Sequence, residues 1–299
     1  MNGSRTQSRV AGTVIATLTT AALAACSSGG SPSGQSTAAA AIQPQQILSA
    51  PKNLLAAGQP QPNGTLWTLA GNAAGKELFD INLVNGSGIG SVPVSRTALS
   101  VTESLGGVIG LALGAPGKGA LDLINGTTGK VTKTILLGAP ARDVIAGSDG
   151  ATFYVLNGKA KSAGVTIVNS RNGDVQGTVQ MPPNTVSIAP DSLGASVFAL
   201  QPDGRVTQVA IAGGKTLTSF PTGPGARSIA LSPDGSTLYV LKNAGQAPNV
   251  AEVDVSTEVM QRVLPAPRNC LQVLVSADGS LLYQLVGTSS YGNIQIVKS

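Results

Sequence analysis

The chain has 299 residues, of which 11% are charged and none is histidine. The absence of histidine excludes a Ser-His-Asp triad, a histidine general base and an imidazole metal site. The net charge of +5 is too small to indicate nucleic-acid binding, and no basic run with interleaved aromatic residues occurs. We therefore expect no nucleic-acid partner, no metal and no cofactor.

The first 25 residues are typical of an export signal. Arg5 and Arg9 precede an uncharged apolar stretch that is too short to be a comfortable membrane span. The stretch ends at Leu23-Ala24-Ala25-Cys26, which resembles the lipobox of bacterial lipoproteins. This resemblance implies cleavage before Cys26, lipidation of its thiol, and attachment to the extracytoplasmic side of a bacterial cell membrane. The alternative is an ordinary secreted protein with a chance cysteine at its cleavage site.

The segment 26–44 predicts a flexible tether. It consists mainly of Ser, Gly, Ala, Gln and Pro, and no charged residue occurs between Arg9 and Lys52. Removing residues 1–25 leaves 17 basic and 14 acidic residues, a net charge of +3. The second cysteine, Cys270, has no disulfide partner once Cys26 is lipidated, and its strand-like surroundings predict a buried, unreactive thiol.

A tight turn that opens into a β-strand recurs along the rest of the chain. Ser232-Pro233-Asp234-Gly235 has turn chemistry, and residues 237–241 are rich in strand formers. Similar phrases recur at intervals of 40 to 46 residues, near the length of a four-stranded propeller blade. We interpret the polar residue of each phrase as a turn former and not as a catalytic group. These residues are Asn63, Glu103, Asp149, Asp191, Asp234 and Asp278.

The two ends of this array predict a closed ring. The sixth unit ends at Ser299 directly after its third strand, and residues 46–51 resemble the outer-strand phrases of other units, such as 134–140. An N-terminal strand that completes the last blade would remove the exposed sheet edge of an open array. The sequence therefore predicts an all-β fold over residues 45–299, a single propeller of six four-stranded blades.

The repeat has a family resemblance. Residues 224–243 resemble a YVTN-type β-propeller repeat, and Tyr154-Val155-Leu156-Asn157 matches the Tyr-Val-x-Asn tetrad of that family as it stands. The family commonly has seven blades, so seven blades remain possible here. The resemblance implies a fold and little chemistry, since such propellers have binding, scaffolding and enzymatic roles alike.

One set of residues points to a ligand. Basic residues precede the inner strands of five units, and Asn184 stands in the remaining unit; the basic residues are Lys52, Arg96, Arg142, Arg227 and Arg268. Around one mouth of a propeller channel they would favour an anionic ligand such as a carboxylate, a phosphate or an acidic polymer, partly offset by Asp143. The alternative is that they bond neighbouring loop carbonyls and bind nothing.

These observations together predict a monomeric, lipid-anchored, non-enzymatic module of the bacterial cell envelope that binds or scaffolds a protein or an anionic envelope ligand. One alternative is an enzyme or sugar-binding protein acting through paired carboxylates. Another is an assembly factor that docks through an exposed apolar blade surface.

Overall fold

The structure is a computed structural model that describes residues 44–72, 74–115, 117–158, 161–243 and 247–299. The lipobox and the tether up to residue 43 lie outside the described residues. The described ranges form β-strands arranged as six four-stranded antiparallel sheets, and they contain no helix long and apolar enough to cross a membrane.

Each sheet is one blade, and its strands run outward in chain order, apart from the first strand of the chain, β1 (Gln46–Ala50), which belongs to the last blade. Blade 1 contains β2 (Leu54–Ala57), β3 (Thr65–Asn72), β4 (Gly75–Asn82) and β5 (Gly88–Val94). Blade 2 contains β6 (Ala98–Glu103), β7 (Val108–Ala115), β8 (Lys118–Asn125) and β9 (Val131–Leu136). Blade 3 contains β10 (Ala141–Ala146), β11 (Thr152–Asn157), β12 (Gly164–Asn169) and β13 (Val175–Gln180).

The second half repeats the same order. Blade 4 contains β14 (Ser187–Pro190), β15 (Ser196–Leu200), β16 (Arg205–Ala210) and β17 (Thr216–Pro221). Blade 5 contains β18 (Ala226–Leu231), β19 (Thr237–Lys242), β20 (Asn249–Asp254) and β21 (Met260–Pro265). Blade 6 contains β22 (Cys270–Val275), β23 (Leu281–Gly287), β24 (Gly292–Lys298) and, as its outer strand, β1.

The predicted six-bladed propeller and its closure are confirmed. Strand β1 pairs antiparallel with β24 in a register that runs from Gln46 opposite Ile296 to Ala50 opposite Gly292. The chain crosses from each outer strand to the next inner strand on one face, which we call the top face. The turns between the first and second strands of each blade lie on the opposite, bottom face.

The turn sequence that recurs along the chain forms the bottom-face turns. Each contains a glycine in the left-handed conformation, with φ between 65° and 78°, which an L-residue rarely adopts; these are Gly64, Gly107, Gly150, Gly194, Gly235 and Gly279. In one turn, Ser276 donates to Asp278 at 2.5 Å and the backbone N–H of Ser280 donates at 3.1 Å. These hydrogen bonds lower the pKa of Asp278 to about 2. The turn role predicted for this residue is therefore explained by its contacts.

Two of the six positions aligned from the sequence lie elsewhere in the repeat. Glu103 is the last residue of β6 and precedes its turn, in which Gly107 donates to the carbonyl of Ser104. Asp191 begins its turn, since Gly194 donates to its carbonyl oxygen. The interpretation of Glu103 as a turn former is thus wrong. The glycine occupies the same place in every one of these turns, whereas the acidic or polar residue does not.

The hydrophobic core lies between the blades. Six clusters of buried side chains occur in the described residues, one at each junction of adjacent blades. Leu66 of blade 1 and Leu285 of blade 6, for example, belong to the same cluster and are both fully buried. Each blade therefore depends on a neighbour on both of its faces.

Side chains of the inner strands also link adjacent blades. Ser228 of blade 5 accepts a hydrogen bond from the backbone N–H of Val273 in blade 6 at 3.3 Å. At the junction of blade 6 with blade 1, the amide of Gln272 makes two bonds to Ala57. It accepts from the Ala57 N–H and donates to the Ala57 carbonyl, each at 3.0 Å. This junction joins chain segments 215 residues apart.

We expect Gln272→Ala to lower the free energy of unfolding by about 2 kcal/mol, because it leaves two partly buried backbone groups without partners. Gln46→Ala is the matched control, since Gln46 is exposed and donates one bond to the Val84 carbonyl at 3.0 Å. Urea unfolding of both variants measures the difference. Equal losses in the two variants would show that the Gln272 bonds contribute nothing particular to closure.

Candidate anion-binding site

The inner strands share an irregularity near the top face. In five blades the pairing with the second strand skips one residue, as between Ala141 and Asp143, so that one residue bulges out of the ladder. In blade 4, Val186 stands at the corresponding place, directly before β14. We call these six places the bulge positions; they hold Leu55, Leu99, Arg142, Val186, Arg227 and Leu271.

The five basic residues predicted from the sequence fall into two sets. Arg142 and Arg227 occupy bulge positions inside inner strands. Lys52, Arg96 and Arg268 lie in the preceding loops, each two residues before its strand begins. The prediction that all five occupy equivalent loop positions is therefore wrong, although all five lie at the top face.

The backbone conformation explains why asparagine stands at position 184. Its φ is 62°, and Asn53 and Asn269, one residue before the inner strands of blades 1 and 6, have φ of 54° and 62°. Asparagine tolerates this left-handed conformation better than most residues with a side chain. Asn184 is thus equivalent to these two asparagines and not to the basic residues.

Basic side chains converge on one cavity at the top of blade 1. The cavity has a volume of about 470 Å³ and is lined by Lys52, Lys76 and Arg96. Glu77 is the acidic residue of its lining, and apolar groups, including Phe79 and Val94, complete the wall. The arrangement combines a net positive charge with apolar surface, as in sites for small organic anions.

Lys76 was not a candidate from the sequence. It follows the tight hairpin between β3 and β4, where Gly71 has φ of 138° and a Cβ atom would lie 2.3 Å from the Gly75 carbonyl oxygen. Its Nζ donates to the carbonyl of Ala98 at 2.5 Å, and burial lowers its pKa. The hairpin end at the top face is the signal that could have placed Lys76 beside the predicted residues Lys52 and Arg96.

The basic residues of this cavity form no ion pair within the described residues. The two ion pairs found there join Lys133 to Asp174 and Arg262 to Glu252, away from the cavity. Lys52 and Arg96 are both exposed. A bound anion would therefore find cationic groups that need not first break an ion pair.

Arg142 and Asp143 are neighbours in a less solvated place. Ser100 donates to the Asp143 carboxylate at 2.7 Å, yet burial raises the pKa of Asp143. Burial also lowers the pKa of Arg142, outweighing the opposite effect of Asp143. The offset that the sequence predicted from Asp143 is therefore present but incomplete.

A second cavity, of about 150 Å³, lies on the bottom face and is lined by Asp149, Asp191 and Tyr154, among others. Both carboxylates serve their turns: Asp149 accepts from Thr152 Oγ1 at 2.6 Å, and Asp191 accepts from Ser196 Oγ at 2.6 Å. Burial, together with these two carboxylates, raises the pKa of Tyr154 to about 12. The Tyr154 hydroxyl is thus poorly suited to acid–base catalysis near neutral pH.

Two carboxyl groups occupy core positions between blades 1 and 2. Asp80 pairs with Trp67 in the sheet and directly precedes the irregularity in the pairing of β4 with β5. The corresponding places in the other blades hold Leu123, Ile167, Gln208, Glu252 and Ile296. Glu103 likewise ends its inner strand where blades 3, 5 and 6 have Ala146, Leu231 and Val275. Asp80 is not equivalent to the other two aspartates of the third strands, since Asp122 pairs with Leu111 and Asp254 with Thr237, the first residue of β19.

This acid pair is strongly perturbed. Burial, followed by the nearby charge of Asp80, raises the pKa of Glu103 to about 7, although a hydrogen bond from Trp67 acts in the opposite direction. Burial also raises the pKa of Asp80, whose Oδ1 atom has no hydrogen-bond partner among the described residues. Neither cavity described above is lined by these two residues.

Cys270 begins β22 and is fully buried. Burial raises the pKa of its thiol to about 12, so the thiolate that reacts with electrophiles and metals is scarce at neutral pH. The predicted buried thiol is confirmed.

No protein-family model matches this chain, and no relative is found among curated proteins.

The acid pair predicts a pH-dependent stability. The pKa of Glu103 is about 7 in the folded state, above its ordinary value of 4.5, so the folded state binds more protons between these limits. The free energy of unfolding therefore falls as pH rises from 4.5 to 7, and the loss is complete above pH 7. We expect Glu103→Gln to remove most of this fall and to exceed the parent at pH 8 by roughly 1–3 kcal/mol.

Urea unfolding at pH 4.5, 6 and 8 measures this effect, with each pH chosen around the limits given for Glu103. Glu77→Gln is the matched control, because Glu77 is an exposed carboxylate on β4, the strand that carries Asp80. The explanation fails if the stabilities of Glu103→Gln and Glu77→Gln depend on pH in the same way.

Proposed function

We propose that this protein is a lipid-anchored, non-enzymatic YVTN-type propeller on the extracytoplasmic side of a bacterial cell membrane, and that it binds an anionic ligand at the top of blade 1. The observation that carries this proposal is the convergence of Lys52, Lys76 and Arg96 on one cavity. The propeller fold is consistent with a binding or scaffold module.

The ligand chemistry follows from the lining of the cavity. Two exposed cations and one partly buried lysine favour a carboxylate or phosphate, while Phe79 and Val94 favour an apolar group next to it. Glu77 disfavours ligands with charge spread over their whole length. A small organic acid or a phosphate ester fits this combination better than a uniformly charged polymer.

Catalysis by carboxylates is the weaker candidate. The acid pair of Asp80 and Glu103 has the pKa perturbation that an acid catalyst needs, but it lies between blades and outside the two cavities described. The carboxylates of the bottom cavity, Asp149 and Asp191, are held by turn hydrogen bonds. A binding role requires none of these groups to react.

To test the cavity, we would titrate a small phosphate and a small carboxylate, inorganic phosphate and succinate, into the purified full chain at low ionic strength. We expect saturable binding that the double variant Lys52→Gln/Arg96→Gln weakens about tenfold or more. Arg268→Gln is the matched control, because Arg268 holds the equivalent loop position in blade 6 but does not line the cavity.

We expect the control to stay within about twofold of the parent protein. If neither probe binds, or if Arg268→Gln weakens binding as much as the double variant, the cavity is not the anion site.

The anchor is tested separately in cells. Cells grown with an alkyne-tagged fatty acid should incorporate the tag into the full chain, and Cys26→Ser should abolish the label. Cys270→Ser should leave the label unchanged, since the Cys270 thiol is buried. Equal labelling of the parent and Cys26→Ser would contradict lipidation at the lipobox.

A further inference from the structure

The six bulge positions form a second, separate feature of the top face. The inner strands of adjacent blades contact one another around the propeller, from β2 through β6, β10, β14 and β18 to β22, which contacts β2. The bulge positions near their beginnings therefore surround the mouth of the central channel. Their order around it is Leu55, Leu99, Arg142, Val186, Arg227 and Leu271.

This order divides the mouth into two halves. Blades 6, 1 and 2 are adjacent, and their bulge residues Leu271, Leu55 and Leu99 form an apolar arc. The opposite blades 3 and 5 contribute Arg142 and Arg227 on either side of blade 4, and these two residues form a cationic arc. Chain topology therefore makes the mouth amphipathic.

Local packing holds the apolar arc at the surface. A Cβ atom on Gly114 would lie 2.2 Å from Cδ1 of Leu99, so this leucine lies over a glycine of its second strand. Leu271 lies in the same way over Gly287, where the corresponding distance is 2.7 Å. Leu99 remains 42% exposed and Leu55 41% exposed. Leu55 and Leu99 thus remain exposed next to the mouth, whereas Leu271 is partly buried and also packs against the core cluster between blades 6 and 1.

The positive charge of the cationic arc is only partly offset, by Asp143. Arg227 is exposed and forms no ion pair within the described residues. Two guanidinium nitrogens of Arg142, Nε and Nη2, are buried without an acceptor among the described residues. Its neighbour Asp143 is already engaged by Ser100. An acidic partner would supply the missing charge.

We propose that the amphipathic mouth docks an extended acidic peptide segment, whose aliphatic side chains contact the leucine arc while its carboxylates face Arg142 and Arg227. An extended peptide projects successive side chains to opposite sides, with alternate ones about 7 Å apart. It can therefore reach apolar and cationic positions on opposite halves of a ring at the same time.

The occupant is argued from charge. The chain's own segment 27–43 contains no acidic residue, so it does not complement the arginines. A fatty acid carries one charge at its end and would satisfy at most one side of the cationic arc. The proposal does not depend on the cavity of blade 1, because Arg142, Arg227 and Leu99 do not line it.

The test uses a displayed library of random 12-residue peptides selected on the immobilised full chain. We expect the recovered peptides to be enriched in Asp and Glu interleaved with Leu, Ile or Val. A synthetic peptide of the recovered consensus is then titrated against variants. Arg142→Gln/Arg227→Gln and Leu55→Ser/Leu99→Ser should each weaken its binding about tenfold.

Arg171→Gln is the control, since Arg171 is an exposed arginine in the turn between β12 and β13 on the bottom face, and it should change binding by less than about twofold. Thermal unfolding checks that each variant is folded, and single substitutions replace any double variant that is not. No enrichment, or full binding by both double variants, would overturn the proposal. Displacement of the peptide by oleate at equal concentration would also overturn it.

Discussion

The closure of the ring at the junction of blades 6 and 1 is the constraint on which the rest of the structure depends. Each blade buries its two faces only against neighbours, so an open array would expose apolar faces at both ends. The chain meets this requirement with β1, taken from its N-terminal end, and with the amide of Gln272, which joins both backbone groups of Ala57. Closure thus uses strand pairing, apolar contact and specific hydrogen bonds together.

This constraint separates fold residues from residues free to vary. Bottom-face turns repeat the same solution, a glycine in the left-handed conformation and an acidic or polar side chain that bonds the following amides. The clusters between blades fix the inward positions of the strands. The bulge positions and the loops that precede them do not repeat one residue type, so both charged and apolar side chains occur there.

The sequence predicts the repeat well and the side-chain geometry poorly. Blade length, the number of blades and the origin of the closing strand follow from turn phrases and from one recurring outer-strand phrase. Residues 46–51 could be assigned to the last blade because strand pairing needs a partner at a known place. In contrast, Arg142 and Arg96 look equivalent in sequence, since each precedes or begins an inner strand. Only the bulge distinguishes them, and a bulge has no reliable sequence signal.

Glu103 and Lys76 show a second limit of prediction from sequence. An acidic residue near a turn is usually a turn former, and the sequence therefore predicts this role for Glu103. Its carboxyl group instead lies one residue before the turn begins, at the junction of two blades. Lys76 approaches Lys52 and Arg96 through a hairpin of a different strand pair, a proximity that no local pattern encodes. Contacts between repeats are determined by how the repeats stack, and a single sequence contains that information only indirectly.

The departures from the repeat concentrate beside the closure. The basic cavity belongs to the top of blade 1, and the acid pair and Trp67 lie between blades 1 and 2. The inner strand of blade 1, Leu54–Ala57, contains no β-branched residue. Since the closing strand and Gln272 already stabilise the neighbouring junction, the junction of blades 1 and 2 can hold the partly buried carboxyl groups Asp80 and Glu103. A closed ring therefore allows one junction to hold an acid pair while the apolar clusters between the blades maintain the fold.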